Sequence, residues 1–471
     1  MTLELPGAVM HLMYANNSFP AIAACLHRTL PCRHVPECKR ETAMKPSIFH
    51  APAALATAAV LTLLSNAAAP AQEPIRIGVL QAVTGPFTKN GTENWIAMQI
   101  ARDMINERGG IPGSKRKVEY IFADAPTPTA AISETERLIT SQGVKITAGS
   151  GLSPLAIAVS QAAERHGVFH WETAGGAEII TRRGHKFTFQ VAPSARRYAE
   201  AAVDFTTDDL TKRLGKPVGE LRVALLWENR AWGKSVGENI RAYGPKKGLK
   251  LIYDQSYDQF LTDMTPIVQQ LKDAKPDVLI AVSFPNDAIL FQRKAKELDF
   301  NVGAFIGVSA GYSNPDLRDS IGDMVNGIFV SDFAVQVNPR ALNDQIRPVA
   351  EEFFKRYNAR MKRPPAGHAS MAFSAMWAFF TELLPKAKTY EPAELREIAL
   401  KLDLPEGSMA NGSGIKFTNH DWAPDPKDFG QNLRAAVGVW QWQKSGNNQV
   451  FPPKLATHQP VMVPLPPWSK R

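Results

Sequence analysis

The chain has 471 residues, more than one hydrophobic core usually fills, so we expect two domains. Its formal net charge is +9, but basic and acidic residues are interspersed, and the absence of a basic stripe with interleaved aromatics argues against a nucleic-acid partner. All three cysteines precede residue 44, which excludes a disulfide, a catalytic thiol or a cysteine-ligated metal from the rest of the chain.

The first 71 residues are predicted to lie outside the fold. A positive start at Met44-Lys45, an apolar core over 53–64 and small residues up to Ala71 are typical of a cleavable secretory signal over 44–71. The apolar core is too short for a permanent membrane span, and no cysteine is present at the cleavage point for lipid attachment. We therefore expect a soluble periplasmic protein without a lipid anchor, and we interpret residues 1–43 as an extension from a misassigned start codon.

From residue 72 onward, apolar runs of strand length alternate with amphipathic helical stretches. The predicted strands are 75–80, 118–123, 144–148, 168–171, 221–227, 249–253, 277–283, 304–308 and 327–331. Helical stretches between them include 93–107, 130–142, 154–166, 195–213, 262–274 and 288–298. Continuous apolar strands joined by helical crossovers are typical of parallel sheets covered on both faces. The sequence therefore predicts an α/β fold, and its two series of strands and helices predict two Rossmann-like lobes.

The character of the chain changes near Pro193, where a long helix leads to the second series, and again near 331–339. Beyond that point the predicted helices are 341–360, 368–385 and 392–402, and the predicted strands are 414–417 and 435–443. The proline-rich tail over 451–471 is expected to be extended, either packed or frayed.

The turn after the third predicted strand is the strongest candidate for a binding site. The strand ends in Gly149-Ser150-Gly151, and Ser153-Pro154 then opens an apolar helix. Serine is a preferred N-cap and proline suits the first helical turn. The helix start therefore offers N–H groups, a hydroxyl and the positive end of a dipole, which predicts an anion pocket. The alternative is that Ser153 only caps its own helix.

Several short segments occur in a specific order along residues 73–450. They are Ile75–Leu80 with Thr84-Gly85-Pro86, Ile105–Ile111, Phe122-Ala123-Asp124, the Ser153 turn, Thr173–Gly176, Trp227-Glu228-Asn229 with Trp232-Gly233, Asp263–Pro266 and Ala304–Gly307. Together they resemble the branched-chain amino-acid-type (Leu/Ile/Val-binding-like) solute-binding proteins of ABC transporters, which have the type I periplasmic binding fold. The resemblance implies two lobes, joined by three crossovers, that close on a solute by hinge motion and present it to a membrane permease.

The three crossovers are placed near Pro193, Ser331 and Pro405, which makes each lobe discontinuous. The predicted boundaries are 72–192 plus 332–405 for lobe 1, 193–331 plus 406–450 for lobe 2, and 451–471 for the tail.

The resemblance also implies which residues contact the solute. In this family a serine after the third strand and backbone groups after the fourth hold the ligand carboxylate, and by position these are Ser153 and residues 174–176. In the second lobe, Trp232, Phe284 and Pro285 match positions where flat side chains pack against an apolar solute, although Phe284 could simply be a buried strand-end side chain. The complete set of predicted ligand-binding residues is Asn90, Ser153, Ala174, Gly175, Gly176, Glu228, Trp232, Phe284, Pro285 and Ser309.

One position departs from the family pattern. Amino-acid binders have an acidic residue after the strand ending near Gly307, where it pairs with the ligand ammonium, and this chain has Ser309. A buried ammonium without a carboxylate is costly. Either Glu228 or Glu172 substitutes, or the ligand lacks an α-amino group. The solute is thus an amino acid or related compound or, alternatively, an aromatic or branched carboxylic acid without that group.

An α/β enzyme is the remaining alternative. The chain lacks an HExxH motif, a P-loop lysine and a G-x-S-x-G elbow, and Asp124 and Glu172 show no visible acid–base pairing. We expect no catalytic residue, cofactor or metal site, and a monomer whose partners are a small solute and a permease. A core position is expected for His170 and a capping or surface position for His368.

Overall fold

In the computed structural model, the structure describes residues 72–333, 338–419 and 427–471. The predicted signal over 44–71, the extension over 1–43 and the three cysteines lie outside the described residues. None of the described helices has the length and apolar character that a bilayer span requires.

The first lobe is built on sheet A, whose five strands are all parallel. These strands are β1 (Ile75–Gln81), β2 (Val118–Asp124), β3 (Ile146–Gly149), β4 (Phe169–Glu172) and β5 (Thr188–Gln190), in the spatial order β2-β1-β3-β4-β5. The connecting helices are α1 (Thr88–Glu107), α2 (Pro128–Thr140) and α3 (Ser153–Arg165). Every residue of β3 and β4 is buried, because helices cover both faces of the sheet. Gly149 and Glu172 lie opposite each other at the carboxyl ends of these two strands.

The second lobe is built on sheet B, which has seven strands. They are β6 (Val223–Glu228), β7 (Leu251–Tyr257), β8 (Val278–Val282), β9 (Ala304–Val308), β10 (Phe329–Asp332), β13 (Gly438–Gln443) and β14 (Gly446–Phe451), in the order β14-β13-β10-β9-β8-β6-β7. Its helices are α4 (Ala195–Phe205), α5 (Thr211–Leu214), α6 (Ala231–Tyr243), α7 (Thr265–Ala274), α8 (Pro285–Glu297), α9 (Ala310–Ser313) and α10 (Pro315–Ile321). The sheet is parallel from β10 to β7, and β13 and β14 form an antiparallel hairpin on β10.

After β10 the chain returns to the first lobe. The helices of this part are α11 (Arg347–Met361), α12 (Gly367–Ala378) and α13 (Pro392–Leu400). Every residue of α12 is buried, and this helix packs along α1. Phe373 of α12 stacks on Phe353 of α11 with ring centroids 4.1 Å apart, so the aromatic residues of this helix belong to the core.

The hydrogen bonds of the segment after β10 bear on the position of the last crossover, which is predicted near Pro405. A small antiparallel sheet joins β11 (Asp403–Leu404) to β12 (Ile415–Lys416). Gln431 then forms a bridge with Gln190 at the edge of sheet A, and Asn432 Nδ2 donates to the carbonyl of Val191 at 2.9 Å. Gln431 and Asn432 therefore bond to the first lobe, which favours a crossover later than Pro405. We propose that the crossover lies between Asn432 and the start of β13.

The proline-rich tail is packed against the second lobe. Leu465 N donates to Gly303 O at 2.8 Å, and the indole N–H of Trp468 donates to Phe300 O at 2.8 Å. Asn301 Nδ2 donates to the carbonyl of Leu465 at 3.1 Å. Of the two alternatives for this segment, the structure therefore shows the packed one.

Candidate functional site

A cleft lies between the two lobes at the carboxyl ends of strands from both sheets. Its lining residues follow β3, β4, β6, β8 and β9 or come from α4 and α12; they are Gly151, Leu152, Ser153, Ala174, Gly176, Tyr198, Trp232, Ser283, Phe284, Ser309 and His368. This main chamber contains about 300 Å³ of space not filled by protein atoms, part of it open to solvent. The lobes touch across it, since a Cβ added at Gly176 would lie 2.7 Å from Cζ3 of Trp232. The conformation is therefore a closed one.

The amide groups at the ends of β3 and β4 hold the protein's own carboxylate. Glu172 is fully buried; its Oε2 accepts from Ser150 N at 2.9 Å and its Oε1 from Gly151 N at 3.0 Å. The N–H groups of Ala174 and Gly175 also donate to Oε1, at 3.1 and 2.8 Å. The amides next to the predicted anion pocket are thus taken by Glu172, whereas the Ser153 end of the pocket is not. In this arrangement the amides of Ala174 and Gly175 are not available to a ligand carboxylate, and Gly175 does not line the cleft.

Ser153 lines the cleft but does not cap its helix. It is the first residue of α3, and the N-cap is Leu152. Its Oγ accepts hydrogen bonds from Gly176 N at 3.2 Å and Ala177 N at 3.1 Å, which leaves the hydroxyl proton to donate elsewhere. Among the described residues, no group accepts from the N–H of Ser153. This residue therefore offers two donors at the positive end of the α3 dipole.

Aromatic side chains form the walls opposite Ser153. Trp232 packs edge-to-face on Tyr198 with ring centroids 4.9 Å apart. The ring of Phe284 contacts the ring of Phe87 of the first lobe, with centroids 5.6 Å apart. The predicted positions of Trp232 and Phe284 are thus both in the cleft. Tyr198 was missed, because nothing in the sequence shows which residue of α4 faces the other lobe.

The two glutamates considered as substitutes for an acidic residue at 309 are both bonded to their own turns. Glu172 fills the amide pocket described above. Glu228, at the end of β6, accepts from Arg230 N at 2.6 Å and from Gly233 N. Burial raises the pKa of Glu228 to about 8, and it does not line the cleft.

A different carboxylate lies beside Ser309. The N–H of Ser309, which lines the cleft, donates to Ser331 O at 2.9 Å, and Asp332 is the next residue, fully buried at the end of β10. Burial raises the pKa of Asp332 to about 7, and the nearby hydroxyls of Ser309 and Ser313 limit this rise. Sequence reasoning missed Asp332, although an acidic residue that ends a buried strand is a recognisable signal.

The prediction of a capping or surface position for His368 is wrong. Its exposed fraction is 5%, it lies inside α12, whose N-cap is Ala366, and it lines the cleft. Burial lowers the pKa of His368 to about 4, so its imidazole is neutral at physiological pH. The core position predicted for His170 is confirmed, with its Nδ1 3.1 Å from the Thr147 hydroxyl.

The remaining predicted site residues, Asn90 and Pro285, lie in a side chamber next to the cleft, and Phe284 lines both chambers. Metal ligation finds no support in the described ranges, where no three His, Cys, Asp or Glu residues come together.

Comparison with known proteins gives consistent matches. The family model described as periplasmic binding protein matches residues 74–421. A Leu/Ile/Val-binding protein homolog from Brucella abortus is 30% identical over 394 residues, covering 83% of this chain and 95% of that relative. Among solved structures, a leucine-binding protein from Thermotoga maritima has a TM-score of 0.67 at 19% identity, covering 80% of this chain and 97% of its own.

A second similar solved structure contains an aromatic acid as its ligand. It is an ABC-transporter solute-binding protein from Rhodopseudomonas palustris in complex with 3,4-dihydroxybenzoic acid, with a TM-score of 0.66 at 19% identity, covering 83% of this chain and 99% of its own. Both structures share the architecture described above, so the predicted fold of two α/β lobes with parallel sheets is confirmed.

Proposed function

The chain belongs to the periplasmic binding protein family, and from that premise we propose that it binds a small carboxylate-bearing solute by hinge closure and delivers it to an ABC-transporter permease. Members of this family are extracytoplasmic solute-binding components. The observation that carries the carboxylate assignment is the pair of donors on Ser153. Its N–H and O–H lie at the start of α3, in a cleft with the aromatic walls of Trp232 and Phe284.

The binding energy that this arrangement offers is sufficient for a transport protein. Micromolar affinity requires about 8 kcal/mol. Hydrogen bonds to a charged group contribute about 1.5–3 kcal/mol each, and burying an aromatic or branched group against Trp232 and Phe284 adds the hydrophobic contribution. A thermal-shift screen with amino acids, amides and aromatic acids identifies the solute class, because a ligand that binds only the native state raises the melting temperature.

Replacing Ser153 by alanine is expected to weaken binding of the carboxylate hit from that screen by about 1–3 kcal/mol. The variant loses the hydroxyl donor and also leaves the amides of Gly176 and Ala177 without their acceptor. Isothermal titration calorimetry measures the change. Ser374→Ala is the matched control, because this buried serine bonds only within its own helix, to Ser370 O. Equal affinities of Ser153→Ala and the wild type would show that Ser153 does not bind the solute.

The charges around the cleft favour a solute without an α-ammonium group. Position 309 carries a hydroxyl, and the carboxylates of Glu172 and Glu228 are both taken by backbone amides. Two carboxyl groups near the cleft remain for a desolvated ammonium: Asp332, which lies behind the lining, and Asp287, which lines the neighbouring chamber. Burial raises the pKa of each to about 7, so neither is a strong counter-charge at neutral pH. We accordingly favour an aromatic or branched carboxylic acid, as in the R. palustris neighbour with dihydroxybenzoic acid, over an amino acid.

The variant Asp332→Asn separates the two solute classes. If the solute is a simple carboxylic acid, we expect the variant to retain its affinity, because no positive charge on the ligand needs compensation. If it is an amino acid whose ammonium pairs with Asp332, loss of the carboxylate behind Ser309 leaves a buried ammonium unpaired and costs about 3–5 kcal/mol. Calorimetry with benzoate and with isoleucine distinguishes these results, and urea unfolding of the variant reports any separate loss of stability.

The enzyme alternative gains no support from the structure or from the relatives. Asp124 accepts from Val83 N at 2.9 Å and from the Thr84 hydroxyl at 2.5 Å, so it fixes the turn after β1. Glu172, the other candidate acid or base, is held by backbone amides. The relatives that match are named as binding proteins.

A further inference from the structure

A side chamber adjoins the cleft and also lies between the lobes. It is bounded by Phe87 and Asn90 at the start of α1 in the first lobe, and by Gln259, Phe284 and Asp287 in the second. It contains about 380 Å³ of empty space, part of it open to solvent. Because Phe284 lines both chambers, one ring of the second lobe contacts both spaces.

Three buried polar groups of this chamber have no hydrogen-bond partner among the described residues. They are Nδ2 of Asn90, Oε1 of Gln259 and Oδ1 of Asp287, on side chains that are 2%, 8% and 3% exposed. Each unpaired buried polar atom costs about 1–3 kcal/mol. Two of the groups belong to one lobe and the third to the other, so a ligand group that pairs with all three would also draw the lobes together.

The three groups define the chemistry of their partner. One is an amide donor and two are oxygen acceptors, and a hydroxyl both donates and accepts hydrogen bonds. A cationic ammonium is disfavoured, because it has no acceptor for the amide donor of Asn90. Lys89 also lines the chamber, and its own ammonium pairs with Asp316 at 3.2 Å. Burial also raises the pKa of Asp287 to about 7, so its negative charge is weak at neutral pH. The rings of Phe87 and Phe284, which contact each other, line the chamber and provide apolar contact.

The side chamber is close enough to the Ser153 site for one small molecule to reach both. Asn90 and Asn94 are four residues apart on α1, or about 6 Å along its axis. Asn94 packs against Gly151, which lines the main chamber, because a Cβ added at Gly151 would lie 2.1 Å from Nδ2 of Asn94. The separation of the two chambers is therefore about one helical turn, which a single aromatic ring with substituents at opposite ends can bridge.

We propose that the solute is an aromatic carboxylic acid with a ring hydroxyl distant from its carboxylate, and that Asn90, Gln259 and Asp287 bind this hydroxyl. The inference rests on the proposed function and names the solute class of the same cleft. The carboxylate bonds to Ser153 of the first lobe while the hydroxyl enters the side chamber, where polar groups of both lobes bind it.

Calorimetry with four probes tests this assignment: benzoate, 4-methylbenzoate, 4-hydroxybenzoate and 3,4-dihydroxybenzoate. The full-length protein is expected to bind the two hydroxylated acids at least tenfold more tightly than benzoate and 4-methylbenzoate. The methyl compound controls for size, because it fills the chamber without hydrogen bonding. In Asn90→Ala and in Gln259→Met, the ratio of hydroxybenzoate to benzoate affinity is expected to fall towards one.

The outcomes separate this inference from the proposed function. Equal affinities for all four acids, or an unchanged ratio in both variants, would overturn the hydroxyl assignment and leave a carboxylate binder. Binding of amino acids but of none of the four acids would overturn the hydroxyl assignment and the choice of a solute without an ammonium group. Failure of every carboxylate in the thermal-shift screen would overturn the proposed function itself. Gln259 lies in the loop after β7, where a substitution disturbs no helix or strand. The Gln259→Met variant therefore still tests the assignment if Asn90→Ala does not fold.

Discussion

Replacing Gly176 by alanine is expected to weaken solute binding by about ten- to a hundredfold. The added Cβ would lie 2.7 Å from Cζ3 of Trp232 on the other lobe, and overpacking of this kind costs about 1–3 kcal/mol, with a factor of ten for every 1.4 kcal/mol. We expect the cost to fall on the closed form, because Gly176 and Trp232 lie on opposite lobes. Calorimetry measures the affinity, and fluorescence energy transfer between labelled lobes measures closure.

The controls for this prediction come from the chain itself. Gly219→Ala is matched, because a Cβ there would have no atom within 4 Å, and we expect wild-type affinity. Combining Gly176→Ala with Trp232→Phe replaces the indole by a smaller ring and is expected to recover part of the closure. Full closure and full affinity in the single Gly176→Ala variant would show that the lobe contact seen here is not the binding conformation.

Replacing Glu172 by alanine is expected to lower the free energy of unfolding by about 4 kcal/mol or more. Four backbone N–H groups, those of Ser150, Gly151, Ala174 and Gly175, donate to its carboxylate, and each buried donor left unpaired costs at least about 1 kcal/mol. Glu172→Gln keeps one acceptor oxygen, so a smaller loss is expected. Urea unfolding followed by circular dichroism measures both variants.

A surface glutamate provides the comparison for this stability effect. Glu134 on α2 pairs only with Arg137 of the same helix, so Glu134→Ala is expected to change the free energy of unfolding by less than about 1 kcal/mol. If Glu172→Ala were as stable as Glu134→Ala, the amide groups around position 172 would have to find other acceptors, and the carboxylate could not be the group that organises this turn.

Sequence reasoning identified the strands whose own residues form a recognisable apolar pattern. Continuous apolar runs such as 304–308 coincide with strand β9, because a strand buried on both faces must be apolar throughout. Strand β5 was missed because Thr188–Gln190 is too short to form a pattern. Strand β14 was missed because Asn447, Asn448 and Gln449 are polar, although they are buried in the hairpin with β13.

The predicted helix boundaries were wrong where side chains or backbone geometry interrupt a continuous helical pattern. The helix predicted over 195–213 changes to a π turn over Thr206–Leu210 before it continues as α5. The helix predicted to begin at Ala341 begins at Arg347, because the side chain of Asn343 accepts from the N–H groups of Gln345 and Ile346 and redirects the chain.

The candidate site was predictable where it depends on strand ends, and not where it depends on packing between distant elements. Ser153, Trp232 and Ser309 follow strands, and a parallel sheet brings the carboxyl ends of its strands to one edge. His368 and Tyr198 come from helices whose positions depend on how the lobes pack. The direction of the amides around Glu172 depends on turn geometry that no residue pattern specifies.

The filled amide pocket at Glu172 has a consequence for which anions the cleft admits. A nest of backbone amides at a helix start is otherwise a good receptor for phosphate and sulfate. Here the internal carboxylate cancels the positive potential of those amides and repels doubly charged oxyanions. Inorganic oxyanions thus find these four amides filled, and the polar contacts left for an anion are the two donors of Ser153. A monoanion must therefore contribute organic surface to be retained.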